Sequence, residues 1–401
     1  MLTVEEALDR IVAEAGEQPV LAVDLPLALD LVLAEPVVAD ADSPPFDKSL
    51  MDGYAVRTAD LPGGKGRLRR VGEILAGQTP AAPVREGEAV QIMTGAPTPP
   101  GADAVVMVER TRLDADLVEF DDPDLHVGQF IMPRGREYSR GETVLEPGAR
   151  IGPAEMGLLA AVGCVRPKVH RRPTVAIVST GDEIVPPDQT PGPGQIRNAN
   201  ESTLAALAER AGAVVRRLGV AGDDAQALME KIGEGLKSDV LLLSGGVSAG
   251  KRDLAPGVLA DLGVRTVFHG VAFKPGKPLY FGRKDHTLVF GLPGNPVSVL
   301  CCFEVFVQTA LRARRRSPDP RPHLAPLPLA ADFRYATRRP TYHPAKVSIG
   351  PVGLVVAPVS WYGSPDLRAL TKANALVVFP SGEGNYRAGD ALATLLLDRI
   401  H

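Results

Sequence analysis

Five short segments combine residue types able to hold or polarise an anionic substrate. Phe46–Val56 carries two carboxylates, a lysine and a glycine (Asp47, Lys48, Asp52, Gly53) in one loop-like stretch. It presents Asp52 to a metal or a substrate amine, or it is a polar turn and no more. Ser179-Thr180-Gly181-Asp182-Glu183 follows an apolar run. Two carboxylates at a strand end suit a hard divalent cation, and they equally suit capping of local amides. In Ser244–Asp253, glycines let backbone N–H groups approach phosphate oxygens at the start of a helix. Gly245 to Lys251 satisfies G-x-x-x-x-G-K, but Arg252 stands where a nucleotide-hydrolysing P-loop needs Ser or Thr for Mg²⁺. The phosphate cradle therefore stands and the NTPase reading falls. Lys274-Pro275-Gly276-Lys277-Pro278 sets two ammonium groups in a stiff, extended loop, an oxyanion clamp or an exposed basic turn. In Gly291–Pro296, Asn295 reads as a helix N-cap with Pro296 at the first helical position.

The elements that must position these segments follow from periodicity. Thr3 and Glu6 have capping-box spacing ahead of Val4, Ala7, Leu8, Ile11 and Val12, predicting a helix over Thr3–Ala15. Leu25–Leu33 reads as a second short helix. Short valine-rich runs follow between Gly and Pro, at Arg69–Ile74, Ala89–Met93, Ala104–Glu109 and Leu117–Phe120, and predict a small β domain. Pro153–Val162 reads as helix. From Pro173 strands (Thr174–Ser179, Ala213–Gly219, Asp239–Ser244, Val264–Val271, Leu288–Gly291) alternate with helices (Asn200–Ala213, Asp223–Leu236, Asn295–Arg314). That rhythm predicts a mostly parallel sheet covered on both faces, with ligands beyond the carboxyl ends of its strands. Arg312–Pro322 reads as a basic, proline-rich linker. The strands Ala345–Ile349, Leu354–Pro358, Ala375–Phe379 and Ala391–Leu397 predict a terminal β-barrel or sandwich.

Bulk properties bound the partners. A chain of 401 residues exceeds one ordinary core, and 45% apolar with 23% charged residues describes a globular protein. A net charge of −4 argues against nucleic acid as a default partner. Three cysteines without ligand spacing, Cys164, Cys301 and Cys302, exclude a disulfide framework, and the last two sit in an apolar run as inert thiols. Met1–Glu6 shows neither a basic start nor an apolar core, and no run approaches the ~18 apolar residues of a membrane helix. The expectation is a cytoplasmic protein with no membrane segment.

The order of motifs resembles one family. Ser49–Val56 (S-L-M-D-G-Y-A-V), Ile92–Pro97 (I-M-T-G-A-P), Ala104–Met107, Ser179–Glu183, Ser244–Gly250, Lys274–Pro278 and Gly291–Pro296 resemble, in sequence order and over almost the whole chain, the MoeA/gephyrin E-domain family. The resemblance implies insertion of molybdate into adenylylated molybdopterin with release of AMP, assisted by Mg²⁺. It implies a multidomain α/β plus β fold. An elongated segmented N-terminal domain spans 1–45 and 138–172, with an inserted β domain at 46–137. A MogA/MoaB-like α/β domain at 173–318 has a mostly parallel sheet, and a β-barrel-like domain fills 319–401. It also implies a homodimer whose cleft draws on both subunits, and contact with a MogA/MoaB-type adenylyltransferase. By residue, the resemblance assigns catalytic roles to Asp52, Thr94, Glu183 and Asp253, with Glu183 and Asp52 toward the metal. It assigns Gly245, Gly246, Ser248 and Gly250 to the phosphate loop, Lys274 and Lys277 to the oxyanion, and Arg339 and Ser364 to the neighbourhood of molybdate. Glu137 falls where relatives often carry Asp. No protein nucleophile is expected, because the sequence shows no Ser/His/Asp arrangement. Three other readings stay open: a molybdopterin adenylyltransferase, a tungstate-handling homologue and a non-catalytic scaffold.

Overall fold

The computed structural model describes residues 1–246, 254–351 and 353–397. Its centre is a six-stranded sheet in the order Val214–Ala221, Thr174–Thr180, Val240–Ser244, Thr287–Leu292, Tyr280–Lys284, Arg265–His269. The first four strands are mutually parallel, and Tyr280–Lys284 runs antiparallel to both of its neighbours, so Arg265–His269 shares the direction of the first four. Val240–Ser244 and Thr287–Leu292 are buried at every residue, which demands a layer on each face. Alternation splits the two cores. Val175, Ile177, Leu242 and Phe290 face one side with Leu204 and the long helix, whereas Ala176, Val178, Leu241 and Leu243 face the other with Leu228, Ile232 and Leu259. From Thr174–Thr180 the chain crosses through the helix Ala199–Arg210 to add a strand on one side. It then crosses through Ala225–Gly235 to add Val240–Ser244 on the other. The strand order therefore switches beside Thr180 and Ser244, where open α/β sheets leave a crevice.

The expected capping box is present: the Thr3 hydroxyl accepts from Glu6 N at 3.1 Å, and the Glu6 carboxylate accepts from Thr3 N at 2.8 Å. The helix it starts, Val4–Glu14, buries Val4, Ala7, Leu8 and Ile11 against the α/β core. The helix expected at Leu25–Leu33 is instead a 3-10 turn, Leu25–Leu27, followed by the strand Val32–Leu33. The left-handed Asp30 (φ 65°) stops propagation, whereas Pro26 lies in the first turn, where proline is tolerated. The long helix, Pro296–Arg314, contains a π-helical turn at Phe303–Val307. At 19 residues and mean hydropathy 1.3 it has a membrane span's length and composition, against the sequence expectation. It is 72% buried inside the protein, as a core helix must be. Its last turn also reaches into the segment read as linker: Arg314 is 3% exposed.

Residues 28–39 and 151–169 share one small core around Leu33, Ile151, Leu159 and Val169. Between them lies a six-stranded sheet in the order Ala104–Met107, Gly53–Val56, Glu88–Ile92, Lys65–Ile74, Leu117–Asp121, Thr111–Asp114. Tyr54 and Val56 pack on one face, Ala55 and Val105 on the other. The C-terminal sheet is antiparallel, in the order Leu324–Pro328, Ala391–Leu396, Ala375–Phe379, Thr341–Gly350, Gly353–Pro358. Leu329 bridges Val356, bringing the two edge strands together in a barrel-like closure.

Candidate active site

The crevice at the strand switch is a cavity of about 390 Å³ whose lining includes Thr180, Glu183, Asn200, Asp223, Gly245 and Gly246. Three elements build it. The strand Thr174–Thr180 ends in Gly181, whose φ of +131° turns the chain so that the Glu183 carboxylate folds back over it. Val240–Ser244 ends in Gly245 and Gly246, both with positive φ (94° and 64°). A Cβ on Gly246 would stand 2.6 Å from Thr180 Oγ1, and one on Gly245 2.8 Å from the Thr180 carbonyl oxygen, so only glycine permits this approach. Asn200, near the start of the next helix, donates to Ser244 Oγ at 3.0 Å and to the Gly294 carbonyl at 2.7 Å. Sequence reasoning did not single out Thr180, Asn200 or Asp223. Their position after a buried strand or at a helix start was the available signal.

A second cavity, about 380 Å³, takes Lys274, Lys277, Asn295, Arg339, Trp361 and Ser364 among its walls. Four residues proposed from distant segments thus share one pocket, on a chain whose overall charge is negative. Arg339 Nη1 donates to the Phe273 carbonyl at 3.1 Å. Asn295 stands at the expected N-cap, but its side chain makes no capping bond and donates to Ser364 Oγ at 3.0 Å. Asn295 also lines the first cavity, so the Gly291–Pro296 turn is the partition between the two. A larger hollow of about 820 Å³ adjoins this pocket and shares Lys274 and Arg339 with it, beside Thr337, Arg338 and Glu383. Another of about 830 Å³, in the inserted sheet, is lined by Lys65–Asp121 and Arg67–Glu119 pairs, which neutralise each other.

Asp52 and Thr94 line neither cavity. They pair with each other: Asp52 Oδ1 accepts from Thr94 N at 2.7 Å and Thr94 Oγ1 at 2.8 Å. Those bonds, the amide first, hold the Asp52 carboxyl below its ordinary range. Glu137 accepts from Ser43 Oγ and lies 3.7 Å from Lys48. Ser248, Gly250 and Asp253, with Lys251, lie outside the described residues. Among the described residues no group of three or more His, Cys, Asp or Glu side chains could hold a metal. Asp52 does not line the cavity that holds Glu183. Glu183 and Asp223 do share the first cavity, an all-oxygen pair suited to a hard cation whose other ligands are water and substrate phosphate. Cys301 and Cys302 are fully buried, and burial pushes both thiols upward, as expected of inert groups.

A glycine-walled crevice at a strand switch, partitioned from a lysine-lined pocket that a terminal β unit completes, defines a multidomain α/β protein. Comparison with known proteins identifies the kind. Residues 2–163 match the model for the MoeA N-terminal region (domain I and II), 176–313 a probable molybdopterin binding domain, and 326–397 the MoeA C-terminal region (domain IV). The molybdopterin molybdenumtransferase of Staphylococcus aureus is 33% identical over 99% of this chain and 96% of its own length. That of Staphylococcus epidermidis is 31% identical over the same shares. The crystal structure of the molybdopterin biosynthesis MoeA protein from Pyrococcus horikoshii OT3 superposes with a TM-score of 0.84 at 28% identity, covering 98% of this chain and 100% of that one. The chain belongs to the MoeA family of molybdopterin molybdenumtransferases.

Proposed function

We propose that this chain inserts molybdate into adenylylated molybdopterin, with Mg²⁺ and with release of AMP. One observation carries the reading: the glycine cradle and the cationic pocket share Asn295, so one substrate can lie in the first and meet a small oxyanion held in the second. In this reading Gly246 offers its backbone amide to the phosphates and Gly245, whose own amide donates to the Leu292 carbonyl at 3.0 Å, permits their close approach, while Lys274, Lys277, Arg339 and Ser364 hold the oxyanion. An oxygen of molybdate or water attacks the adenylyl phosphorus and the phosphoanhydride bond breaks. The departing oxygen stays on the pterin phosphate and AMP leaves with the attacking oxygen. The two dithiolene sulfurs give up their protons and replace one oxo oxygen of molybdate, which leaves in AMP or as water, so that molybdenum stays on the dithiolene with no change of oxidation state. Mg²⁺ held by Glu183 and Asp223 would supply charge neutralisation at the anhydride. The residues of this chain orient the phosphates and stabilise charge on them as the bond breaks.

The same proposal extends to the domain division given above and to a homodimer. Asp52 and Thr94 reach neither cavity of their own chain, so a catalytic role for them requires a second copy. Exposed apolar side chains such as Val20, Leu27 and Val165 offer surface for one. A MogA/MoaB-type adenylyltransferase would supply the substrate. The deciding experiment incubates the protein with adenylylated molybdopterin, Mg²⁺ and molybdate and follows AMP. Molybdate-dependent release is expected, and none from wild-type protein rejects the activity. A single monomeric species in sedimentation at micromolar concentration rejects the dimer.

A further inference from the structure

Lys274 belongs to the α/β unit, yet its setting comes from the C-terminal chain. Its backbone N–H donates to the Pro340 carbonyl at 3.0 Å, and its carbonyl accepts from Tyr342 N at 2.8 Å. Its ammonium donates to the Tyr335 hydroxyl at 3.2 Å and lies 5.4 Å from the centre of that ring. Tyr335 sits on the strand Phe333–Thr337, paired with Gly382–Tyr386. Its ring is held in turn: Phe379 lies 4.9 Å away between centroids, His343 5.4 Å at 88°, and Phe333 6.1 Å in a stack. Phe379 is fully buried and His343 is 2% exposed, so this block does not yield. Burial also pushes His343 down to about 4, the Pro344 carbonyl opposing and Lys274 adding to the fall, so the imidazole is neutral near pH 7. His343 therefore adds no positive charge beside the ammonium.

The contrast with Lys277 gives this arrangement meaning. Lys277 lines the same cavity, is exposed, and makes no side-chain hydrogen bond or ion pair among the described residues. A lysine side chain that must be ordered on binding loses rotamer freedom, at a cost to affinity. Lys274 meets much of that cost before any ligand arrives. We propose that Tyr335, braced by Phe333, His343 and Phe379, is a positioning residue that aims the Lys274 ammonium into the pocket. The C-terminal unit thereby sets how strongly the α/β unit holds a small tetrahedral dianion. The inference rests on the reading of this pocket as the oxyanion site.

Trp361 is the only tryptophan of the chain and lines the same cavity, which gives a local reporter. Tryptophan fluorescence is titrated with sodium molybdate in wild type and in Tyr335→Phe, which keeps the ring and removes the hydroxyl. The expected result is a Kd raised about threefold to tenfold, less than the tenfold or more of a lost charge-assisted bond to the ligand itself, because Tyr335 acts through Lys274, with an unchanged melting temperature. In AMP release, the KM for molybdate rises in step and the KM for adenylylated molybdopterin stays put. Tyr335→Leu, which also removes the ring, loses more. Equal titrations for wild type and Tyr335→Phe overturn the proposal and leave the oxyanion reading intact. Parallel losses in melting temperature and in both KM values also overturn it, as packing alone. Absence of molybdate binding to wild type, by fluorescence and by calorimetry, removes the oxyanion reading and this proposal with it.

Discussion

Glu183 and Lys277 differ in how their geometry constrains them, and the difference sets what each substitution does. The Glu183 carboxylate lies back over Gly181, where a Cβ would meet its oxygens at 2.5 and 2.8 Å. The carboxylate is thus held at the mouth of the cradle by local chain geometry. Glu183→Gln keeps that shape and removes the charge. It is expected to slow AMP release about tenfold or more and to raise the Mg²⁺ needed for half-maximal rate, at unchanged melting temperature. Normal turnover with an unchanged Mg²⁺ requirement removes Glu183 from the cation site. Lys277 is exposed between Gly276 and Pro278, and its compact ammonium suits a small dianion. Lys277→Ala forfeits one charge-assisted bond of roughly 1.5–3 kcal/mol, so the molybdate requirement rises about tenfold or more while pterin affinity holds. Superimposable molybdate titrations, or a loss confined to the pterin, would show Lys277 to be a plain turn residue. Both residues were legible in the sequence because they lie in short motifs. Tyr335 and Trp361 were not, because their role exists only once the C-terminal sheet meets Lys274–Pro278.

At the scale of elements, the glycine turn after Val240–Ser244 carries a prediction of its own. Gly246 has φ +64°, which costs a residue with a side chain about 1–2 kcal/mol. The added methyl would also stand 2.6 Å from the buried Thr180 Oγ1. Gly246→Ala is expected to raise the KM for adenylylated molybdopterin about tenfold and to leave molybdate binding at Trp361 nearly unchanged, since the methyl falls in the other cavity. Loss of molybdate binding with intact pterin affinity would reverse this assignment. The long periodic elements were legible: a capping box with helical spacing, and β-branched runs that the sheet buries whole. Elements without such a pattern were missed. Leu324–Pro328 contains Pro326 and Pro328, tolerable because the strand lies at a sheet edge. Gly382–Tyr386 (Gly-Glu-Gly-Asn-Tyr) has no apolar alternation, and Tyr280–Lys284 ends in Gly282-Arg283-Lys284. Leu25–Leu33 shows the opposite error, apolar content taken for helical period, and the chain leaves the helical conformation at Asp30.

At the scale of the whole molecule, one buried ion knot ties the segments together, and nothing in the linear sequence announces it. Asp239 is 4% exposed and opens the central strand. Its carboxylate accepts two bonds from Arg171 Nη2 at 2.9 and 2.8 Å, one from Thr174 N at 2.7 Å and one from Thr174 Oγ1 at 2.8 Å, with Arg314 Nη2 at 3.6 Å. Arg171 follows the strand Lys168–His170 of the return segment, and Thr174 opens the next strand of the α/β sheet. Arg314 closes the long helix and donates to the carbonyls of Ala15 and His286. Burial pushes the Asp239 carboxyl upward. The Thr174 amide and hydroxyl, then Arg171 and Arg314, outweigh it and hold the carboxyl below its ordinary range. A depressed carboxylate stabilises the fold fully above the unfolded value of about 3.9, and that contribution is lost as pH falls through the lower folded value. Asp239→Asn leaves Arg171 and Arg314 without their anion, at a cost of about 3 kcal/mol, toward the low end for a broken buried pair because Arg171 is partly exposed. The variant should unfold at lower urea than wild type at pH 7, and the gap should narrow below about pH 4, where wild type loses the same interaction. Urea transitions followed by circular dichroism at pH 7 and pH 3 test this. A gap that stays constant over that range would show that Asp239 acts through shape and hydrogen bonding alone, with no contribution from its charge.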